Sequence, residues 1–289
     1  MPRFDEPSGG PWSLPHPVAP DDPACEAGPL IDASRPHSAR IWNYWLGGKD
    51  NYAIDREVGD QVAEMLPSIV RQAREDRAFL ARAVRYLADK EGIRQFLDIG
   101  TGLPTVDNTH EVAQRIAPES KIVYVDNDPM VLTHARALLT SSPKGRCDYL
   151  DADLRDPGRI LDGASGTLDF GQPIALMLLG VLHHLTDDQE AHDVVGQLVE
   201  ALPSGSFVAV NHATNKVHGK ASDDAAAHWN EFGKPALKLR SVEQIAAFFD
   251  GLELVEPGVV SCSQWNVESL PWGNPPDAVD EFCGIGRKP

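Results

Sequence analysis

Acidic side chains recur after successive buried strands of this chain, at a spacing that suits a nucleoside ligand. Asp98 and Asp126 are separated by one strand–helix–strand unit, and Asp126 and Asp153 by another. The carboxyl ends of parallel strands share one edge of a sheet, so these carboxylates should lie close together. A carboxylate there can accept hydrogen bonds from both hydroxyls of a ribose. We therefore predict that Asp126 binds a ribose and that Asp153 binds an adenine amino group, with Asp151 competing for the second role.

A glycine turn follows the first of these strands, within the segment QFLDIGTGLPT (Gln95–Thr105). Gly100, Thr101 and Gly102 form a tight turn of the kind that brings a nucleotide or nucleoside close to the backbone. The third glycine of the dinucleotide motif is missing, and the carboxylate of Asp98 would repel a pyrophosphate. S-adenosylmethionine has no phosphate, and Asp98 could hold its ammonium group. The turn therefore favours S-adenosylmethionine over a nicotinamide dinucleotide as the cofactor.

Two histidines follow later strands and are candidates for a general base. His183 comes after the fourth predicted strand, beside the expected position of the reacting methyl group, and is the first candidate. His212 comes after the fifth strand and is the second. His183 or the adjacent His184 could instead cap the next turn or pack on the sheet, and the sequence leaves open which of these two would be catalytic. The chain lacks further ligands at a recognisable spacing from the histidines, so we expect no metal.

Composition and charge exclude several classes of protein. The chain has 289 residues, 42% of them hydrophobic, and carries a net charge of -17 from 26 basic and 43 acidic residues. Such an acidic surface disfavours nucleic-acid binding. The longest apolar run, Ile174–Leu182, is too short to span a membrane. The four cysteines lack zinc-site or redox-motif spacing, so we expect reduced thiols in a cytoplasmic protein. The sequence leaves the oligomeric state open.

The hydrophobic pattern divides the chain into three parts. Residues 1–29 are rich in Pro and Gly and are predicted to form a disordered tail. Residues 30–92 are predicted to form an N-terminal helical cap, with Ser34 capping its first helix. Residues 93–289 are predicted to form the Rossmann-like domain. The helices predicted for the cap run from near Ser34 to Leu46, from about Asp55 to Met65, and over Ile69–Lys90.

Strands and helices alternate from residue 95 onward, which predicts a doubly wound α/β fold. We expect a mostly parallel, seven-stranded sheet with an antiparallel edge strand, because the last strands have no obvious helix between them. The predicted strands are Gln95–Ile99, Lys121–Val125, Arg146–Leu150, Pro173–Leu179 and Ser206–Asn211, followed by Leu252–Val255, Val259–Ser263 and Ala278–Arg287. The predicted helices are Thr105–Ile116, Pro129–Leu139, Asp187–Leu202 and Ser241–Phe249.

The helical cap has no role in a minimal Rossmann sheet, so we expect it to fold over the strand ends as a lid. Its polar loop would then bring Tyr44, Lys49, Asn51 and Tyr52 to the cofactor or the acceptor. Arg77, on the third helix, would pair with an acid of the cap or with the methionine carboxylate of the cofactor. The alternative is a purely structural cap whose aromatic residues form a hydrophobic contact.

Several motifs of this chain resemble those of class I S-adenosylmethionine-dependent methyltransferases, namely FLDIGTG, VYVDNDP and LDADLRDP. More narrowly, the segments LGGKDNY, VLHHL and GIGRKP are similar to the actinobacterial S-adenosyl methyltransferase family formerly called DUF574. The resemblance covers residues 30–289. It implies a Rossmann-like fold, bound S-adenosylmethionine and methyl transfer to an unidentified small molecule. Within the motifs, Asn127, Asp128 and Leu154 join the expected cofactor-binding residues.

Two other functions are compatible with these motifs. The chain could bind S-adenosylmethionine or its demethylated product as a signal, without catalysing a reaction. A weaker alternative is an oxidoreductase that uses a nicotinamide dinucleotide. Measuring the binding of S-adenosylmethionine, its demethylated product and NAD separates the oxidoreductase alternative from methyl transfer.

Overall fold

The structure is a computed structural model that describes residues 32–138, 140–267 and 276–289. The predicted tail, residues 1–29, lies outside the described residues. Nine α-helices occur in the described ranges: α1 (Ser38–Trp45), α2 (Ala53–Met65), α3 (Ile69–Asp89), α4 (Thr109–Ile116), α5 (Pro129–Leu138), α6 (Pro157–Ala164), α7 (Asp188–Ala201), α8 (Lys220–Phe232) and α9 (Val242–Ala246). The strands there are β1 (Gln95–Ile99), β2 (Lys121–Asp126), β3 (Arg146–Asp151), β4 (Ala175–Leu179), β5 (Phe207–Ala213), β6 (Glu253–Leu254), β7 (Val260–Ser261) and β8 (Glu281–Arg287).

The strands form one twisted sheet in the order β3-β2-β1-β4-β5-β8-β6, with β7 also paired to β8. Neighbours from β3 to β5 are parallel, and β8 runs antiparallel to β5. The prediction of a doubly wound, mostly parallel α/β fold with an antiparallel edge is therefore confirmed. The described residues contain eight strands rather than seven, because two short strands share one side of β8. Glu253 of β6 pairs with Arg287 near the end of β8, and Val260 of β7 pairs with Cys283 near its start.

Strand order places a crevice at the carboxyl end of β1. The chain proceeds from β1 to β2 and β3 on one side, and then crosses to β4 on the other side of β1. Helices leaving β1 and β4 consequently diverge, and ligands of open α/β sheets bind where this happens. Side chains of β1 alternate between two hydrophobic cores, with Leu97 and Ile99 in one and Phe96 in the other. Both faces of β1 are therefore covered, and only the strand end is left to contact a ligand.

Two helix starts differ from the prediction. His37 occupies the N-cap position of α1, while the Ser34 hydroxyl donates a hydrogen bond to Asp32 instead. Helix α4 begins at Thr109 rather than Thr105, because the backbone N–H of Asn108 is bound by Glu111 at 2.9 Å in a capping arrangement. Residues 105–108 thus remain a loop beside the glycine turn. Helices α6 and α8 are not among the predicted helices, although α6 begins with Asp156 as N-cap and Pro157 in its first turn.

Three helices precede β1, as the hydrophobic pattern predicts, but they have different neighbours. Helix α3 packs on the sheet through side chains such as Phe79 and Val84. Helices α1 and α2 instead form a separate core with α8, in which Ile41, Trp45 and Trp229 are buried. The cap is therefore built from two distant parts of the chain. Among the helices of the described residues, none combines the length and hydrophobicity needed to cross a membrane.

Candidate cofactor-binding cleft

A cleft opens at the carboxyl ends of the parallel strands, and α1 and α3 close one side of it. Its lining includes most of the residues that the sequence assigns to cofactor binding. Those residues are Arg77, Asp98, Gly100, Thr101, Gly102, Asp126, Asn127, Asp153 and Leu154. Strand pairing explains why they meet, since Asp98 and Asp126 lie at or next to the ends of adjacent parallel strands. Residues separated by whole strand–helix–strand units are thereby brought to one edge of the sheet.

The glycine turn has the backbone conformation that only glycine adopts without strain. Gly100 has a φ of +78° and Gly102 a φ of +66°. A Cβ on Gly100 would lie 2.6 Å from Cγ2 of Val181, which is far closer than van der Waals contact. A Cβ on Gly102 would meet nothing within 4 Å. Gly100 is thus required for packing against the residues after β4, whereas Gly102 leaves open space beside the cleft.

We expect Gly100→Ala to lower the free energy of unfolding by about 1–3 kcal/mol, because it combines a positive φ with a steric clash. Chemical denaturation checks this value. The matched change is Gly102→Ala, which has the positive φ without the clash and should cost less. Equal losses for the two variants would show that contact with Val181 is unimportant.

Asp98 lies at the floor of the cleft and is almost completely buried. The hydroxyl of Thr109, the first residue of α4, donates a hydrogen bond of 2.6 Å to Oδ2 of Asp98. Burial raises the pKa of Asp98 to about 6, and the neighbouring Arg77 opposes this rise. Burial makes the charged form of Asp98 unfavourable in the free protein. Its carboxylate is therefore available to pair with a cationic group of a ligand.

Asp126 is held in a fixed orientation by two backbone groups. Its Oδ2 accepts a hydrogen bond from the N–H of Gly102 at 3.0 Å, and its Oδ1 accepts one from the N–H of Asp128 at 2.9 Å. Each oxygen retains acceptor capacity for a further donor. Burial raises the pKa of Asp126 from its ordinary value, while the two backbone hydrogen bonds oppose the rise. The side chain is therefore preorganised to accept hydrogen bonds from a pair of hydroxyls.

The structure separates the two acids that compete for the adenine role. Asp153 lines the cleft, and its oxygens accept hydrogen bonds from Nδ2 of Asn127 at 2.9 Å and from the N–H of Arg155 at 2.8 Å. Asp151 is exposed at the end of β3 and does not line the cleft. Of the two acids, Asp153 is thus the one positioned to contact the nucleobase of a bound nucleoside.

Arg77 brings a positive charge into this acidic cleft. Its Nε is buried and has no hydrogen-bond partner among the described residues. Its Nη2 makes only long contacts, of 3.4 Å to the carbonyl oxygen of Val106 and 3.5 Å to Oδ1 of Asn108. A buried guanidinium N–H without a partner is costly unless an acceptor binds it. The geometry consequently fits a carboxylate ligand beside Arg77.

Five predicted binding residues are not brought to the cleft. Asp128 instead accepts from the N–H of Met130 at 2.8 Å and pairs with His37, whose Nδ1 lies 3.0 Å from Oδ2 of Asp128. It therefore holds α5 to the start of α1, because its short side chain is engaged on the helix side. The other four are Tyr44, Lys49, Asn51 and Tyr52.

The polar loop after α1 is hydrogen-bonded to Asn43, a residue of α1 that itself lines the cleft. Oδ1 of Asn43 accepts from the N–H of Asp50 at 3.0 Å and from Nδ2 of Asn51 at 2.9 Å. Tyr44 donates to Asp60, and Lys49 is exposed. Helix α1 itself faces the cleft in place of the loop. The lining residues contributed by this part of the chain are His37, Ser38, Ala39, Trp42, Asn43 and Leu46.

The two candidate bases have different surroundings. His212 is fully buried, with Nδ1 2.7 Å from the carbonyl oxygen of Ala213 and Nε2 2.8 Å from a guanidinium nitrogen of Arg240. Both ring nitrogens are engaged, and burial lowers the pKa of His212 to about 3. His183 is also buried, but its Nδ1 has no hydrogen-bond partner within the described part of the chain. Burial lowers the pKa of His183 well below its ordinary value. Its neutral, proton-accepting form is therefore the stable one.

One acid in the cleft, Asp76, is not among the residues predicted from the sequence. Asp76 precedes Arg77 on α3 and lines the cleft, and Nδ2 of Asn211 donates a hydrogen bond to it. Burial raises the pKa of Asp76 to about 6. Its sequence neighbours alternate between acids and bases, a pattern typical of a solvated helix face. The only available signal was its position next to Arg77.

Within the described ranges, no group of three or more His, Cys, Asp or Glu side chains is arranged to hold a metal ion. His184 does line the cleft, but its Nδ1 lies 3.0 Å from the carbonyl oxygen of Ala236. Burial lowers the pKa of His184 to about 4.

A doubly wound sheet, a glycine turn after β1 and acids after β1, β2 and β3 define a nucleoside-binding protein of the Rossmann-like class. The chain belongs to the S-adenosyl methyltransferase family, whose model matches residues 25–289. It is an S-adenosylmethionine-dependent methyltransferase, as the motifs predict.

Solved structures support this assignment. The chain is similar to a DUF574 family protein from Streptomyces avermitilis, with 41% identity and a TM-score of 0.86 over 90% of this chain and 100% of the other. A protein from Thermobifida fusca YX is 40% identical, with a TM-score of 0.82 over 91% and 99% of the two chains. Magnesium protoporphyrin IX methyltransferase from Synechocystis, at 11% identity and a TM-score of 0.51 over 86% of this chain and 93% of the other, shows the shared fold alone. No curated protein matches the chain.

Proposed function

We propose that the cleft binds S-adenosylmethionine through four charged side chains and that the methyl acceptor is a small molecule. The observation that carries the first part is the unpaired Nε of Arg77 in a cleft whose lining includes four acids, Asp76, Asp98, Asp126 and Asp153. Arg77 binds the methionine carboxylate, and Asp98 binds the ammonium group. Asp126 accepts hydrogen bonds from the ribose hydroxyls, and Asp153 accepts one from the adenine amino group. The acids after β1, β2 and β3 would repel a pyrophosphate, which supports a cofactor without phosphate.

When bound, the cofactor supplies an electrophilic methyl group. The protein's contribution is to position the acceptor and to exclude water, and proximity and orientation together supply roughly 7–11 kcal/mol in favourable cases. Helix α1 supports the exclusion of water, because Trp42 and Leu46 form an apolar wall over the strand ends. A closed cleft of this kind suits a small acceptor better than a macromolecular one.

A base is required where the acceptor must lose a proton during transfer. His183 and Asp76 both lie near the end of β4, and both have a stable or accessible proton-accepting form. The raised pKa of Asp76, about 6, lies close to the value that suits a base at neutral pH. We propose His183 or Asp76 for this role, and assign His212 to holding Arg240 in place.

Three earlier predictions remain proposals. We propose that residues 30–92 act as a cap and residues 93–289 as the catalytic domain, supported by the position of α1 over the cleft. We propose a cytoplasmic location, supported by four cysteines that lack zinc-site or redox-motif spacing and are most simply reduced thiols. We propose an actinobacterial origin, supported by the relatives from Streptomyces avermitilis and Thermobifida fusca.

Isothermal titration calorimetry tests the assignment of Arg77. We expect Arg77→Met to weaken binding of S-adenosylhomocysteine by tenfold or more, because one charge-assisted hydrogen bond contributes about 1.5–3 kcal/mol. Arg74→Met, an exposed position one turn earlier on α3, is the matched control and should bind normally. Unchanged affinity of Arg77→Met, or tighter binding of NAD than of S-adenosylhomocysteine to the wild type, would contradict the proposed site.

The acceptor class is tested by methyl transfer from labelled S-adenosylmethionine into a fractionated bacterial extract. Label should enter the fraction of low molecular mass. Label in protein or nucleic acid alone would contradict a small-molecule acceptor.

A further inference from the structure

A second cavity lies behind the cofactor cleft, between the cap and the ends of β5 and β8. We call it the tryptophan cavity, because Trp42, Trp45 and Trp229 line it. Trp42 and His184 line both the tryptophan cavity and the cofactor cleft. The two spaces therefore share a wall, and a molecule in one lies beside a molecule in the other.

One side of the tryptophan cavity is aromatic and aliphatic. The rings of Trp45 and Trp229 lie 6.2 Å apart between centroids, and Trp42 contacts Trp45 edge-on at 5.8 Å. Val62 and Ala225 complete this side with aliphatic surface. Aromatic walls of this kind bind apolar rings through burial and edge-to-face contacts.

The opposite side of the tryptophan cavity carries four buried polar atoms without partners among the described residues. They belong to side chains that are at most 4% exposed, and all four side chains line the cavity. The atoms are Oε1 of Gln72, Nδ1 of His183, Oγ1 of Thr214 and Oε1 of Glu281. Unpartnered polar atoms at such depth are costly, so a cluster of four points to a ligand that satisfies them.

The chemistry of this polar side selects the kind of ligand group. Nε2 of Gln72 donates to Oε2 of Glu281 at 2.9 Å, which leaves the other oxygen of Glu281 facing a new partner. Burial raises the pKa of Glu281 well above its ordinary value, which favours the protonated form of this carboxyl, a form that can donate. Oε1 of Gln72 can only accept. A hydroxyl group both donates and accepts, and so matches a mixed set of this kind better than an ammonium group, which only donates.

Helix α3 connects the polar sides of the two spaces. Gln72 and Asp76 are one helical turn apart, so both side chains point to the same side of the helix. Gln72 reaches Glu281 of β8, and Asp76 reaches Asn211 of β5. A polar group bound in the tryptophan cavity would therefore lie on a polar path that leads to the cofactor cleft.

We propose that the tryptophan cavity binds the methyl acceptor, and that the acceptor is an apolar ring compound carrying a hydroxyl group. This inference rests on the proposed function, since it names the substrate class of the same enzyme. The ring packs against the tryptophan side, and the hydroxyl reaches the cluster formed by Gln72, His183, Thr214 and Glu281.

The test uses the isosteric pair p-cresol and p-xylene, which differ by a hydroxyl in place of a methyl group. Binding of each probe to the full chain saturated with S-adenosylhomocysteine is measured by NMR. We expect p-cresol to bind at millimolar concentration and p-xylene at least fivefold more weakly. The indole N–H signals of Trp42, Trp45 and Trp229 should shift with p-cresol. The signal of Trp265, which is buried in another core, should stay in place.

A pair of variants on α8 provides a matched control. Ala226 lines the tryptophan cavity, whereas Ala227 is exposed on the same helix. Ala226→Phe should weaken p-cresol binding at least tenfold and leave the affinity for S-adenosylhomocysteine within twofold. Ala227→Phe should change neither. If Ala226→Phe does not fold, the indole N–H shifts of the wild type alone test whether p-cresol binds in the tryptophan cavity.

The outcomes separate this inference from the proposed function. Normal binding of S-adenosylhomocysteine with no p-cresol binding, with equal binding of both probes, or with shifts outside the three tryptophans would overturn the inference and leave the cofactor site intact. Failure to bind S-adenosylhomocysteine would overturn the proposed function and this inference with it.

Discussion

Asp126→Ala should weaken the binding of S-adenosylhomocysteine about 100-fold, on the order of 3 kcal/mol, as measured by isothermal titration calorimetry. The variant loses two charge-assisted hydrogen bonds to the ribose, each contributing about 1.5–3 kcal/mol when made to a well-oriented carboxylate. The orientation is supplied by the protein, because the N–H groups of Gly102 and Asp128 already fix both oxygens of Asp126. Removing the carboxylate also removes one anchor of the glycine turn.

The sheet provides a matched control for this variant. Asp151 pairs with Asp126 in the register of β2 and β3, but it is exposed and lies outside the cleft. Asp151→Ala should therefore bind S-adenosylhomocysteine with unchanged affinity. Wild-type affinity in Asp126→Ala would remove Asp126 from the ribose role, whereas a loss in Asp151→Ala would return Asp151 to the adenine role.

Asp98→Asn should make the cofactor-free protein more stable and a poorer binder. The pKa of Asp98 is raised from 3.8 to about 6 by burial, so the folded state holds a proton more tightly than the unfolded state between these values. The free energy of unfolding of the wild type therefore falls as the pH rises from about 4 to about 6. Above this range the full cost of burying the charged carboxylate is present. A shift of about 2 units corresponds to about 3 kcal/mol, which Asn avoids because it is never charged.

Chemical denaturation at pH 8 and at pH 4 checks the stability of Asp98→Asn. The variant should exceed the wild type by about 2–3 kcal/mol at pH 8, and the difference should shrink towards zero at pH 4. Thr109→Val removes the hydroxyl that donates to Asp98 and should have the opposite effect at pH 8. Equal stability of Asp98→Asn and wild type at both pH values would show that Asp98 carries no burial cost.

The same variant links stability to binding. Asn cannot form an ion pair with the ammonium group of the cofactor, so affinity for S-adenosylhomocysteine should fall tenfold or more. A residue that weakens the free protein and strengthens the complex is typical of a binding site. Stabilisation without loss of affinity would assign Asp98 a structural position rather than a ligand contact.

Much of the fold and half of the site could be predicted from local sequence. The buried runs that form β1, β2 and β4 are continuous and apolar, and parallel strands buried on both faces have this pattern. Once the strands are known, topology brings the acids near the ends of β1, β2 and β3 to one edge of the sheet. This is why Asp98, Asp126 and Asp153 were found together with the glycine turn.

The cap could not be predicted in the same way. Its loop of Lys49, Asn51 and Tyr52 reads as a ligand-binding segment, but these three residues do not line the cleft, and the loop is hydrogen-bonded to Asn43 of α1. Helix α8 completes the cap from a part of the chain more than 150 residues later, and no local pattern announces that contact. Asp128 likewise reads as a ligand contact in its motif, yet pairs with His37.

The sequence by itself determined the class of fold, the cofactor and the acids that line the cleft, because each depends on the order of residues along single strands and turns. Tertiary structure decided which side chains close the cleft and which polar atoms remain unpaired behind it. Asp76 and Arg77 are neighbours on α3, and packing of α3 on the sheet brings both to the ends of strands that lie far away in the sequence. Glu281 and Gln72 meet for the same reason, since side-chain pairing across 209 residues is set by packing and not by any local signal.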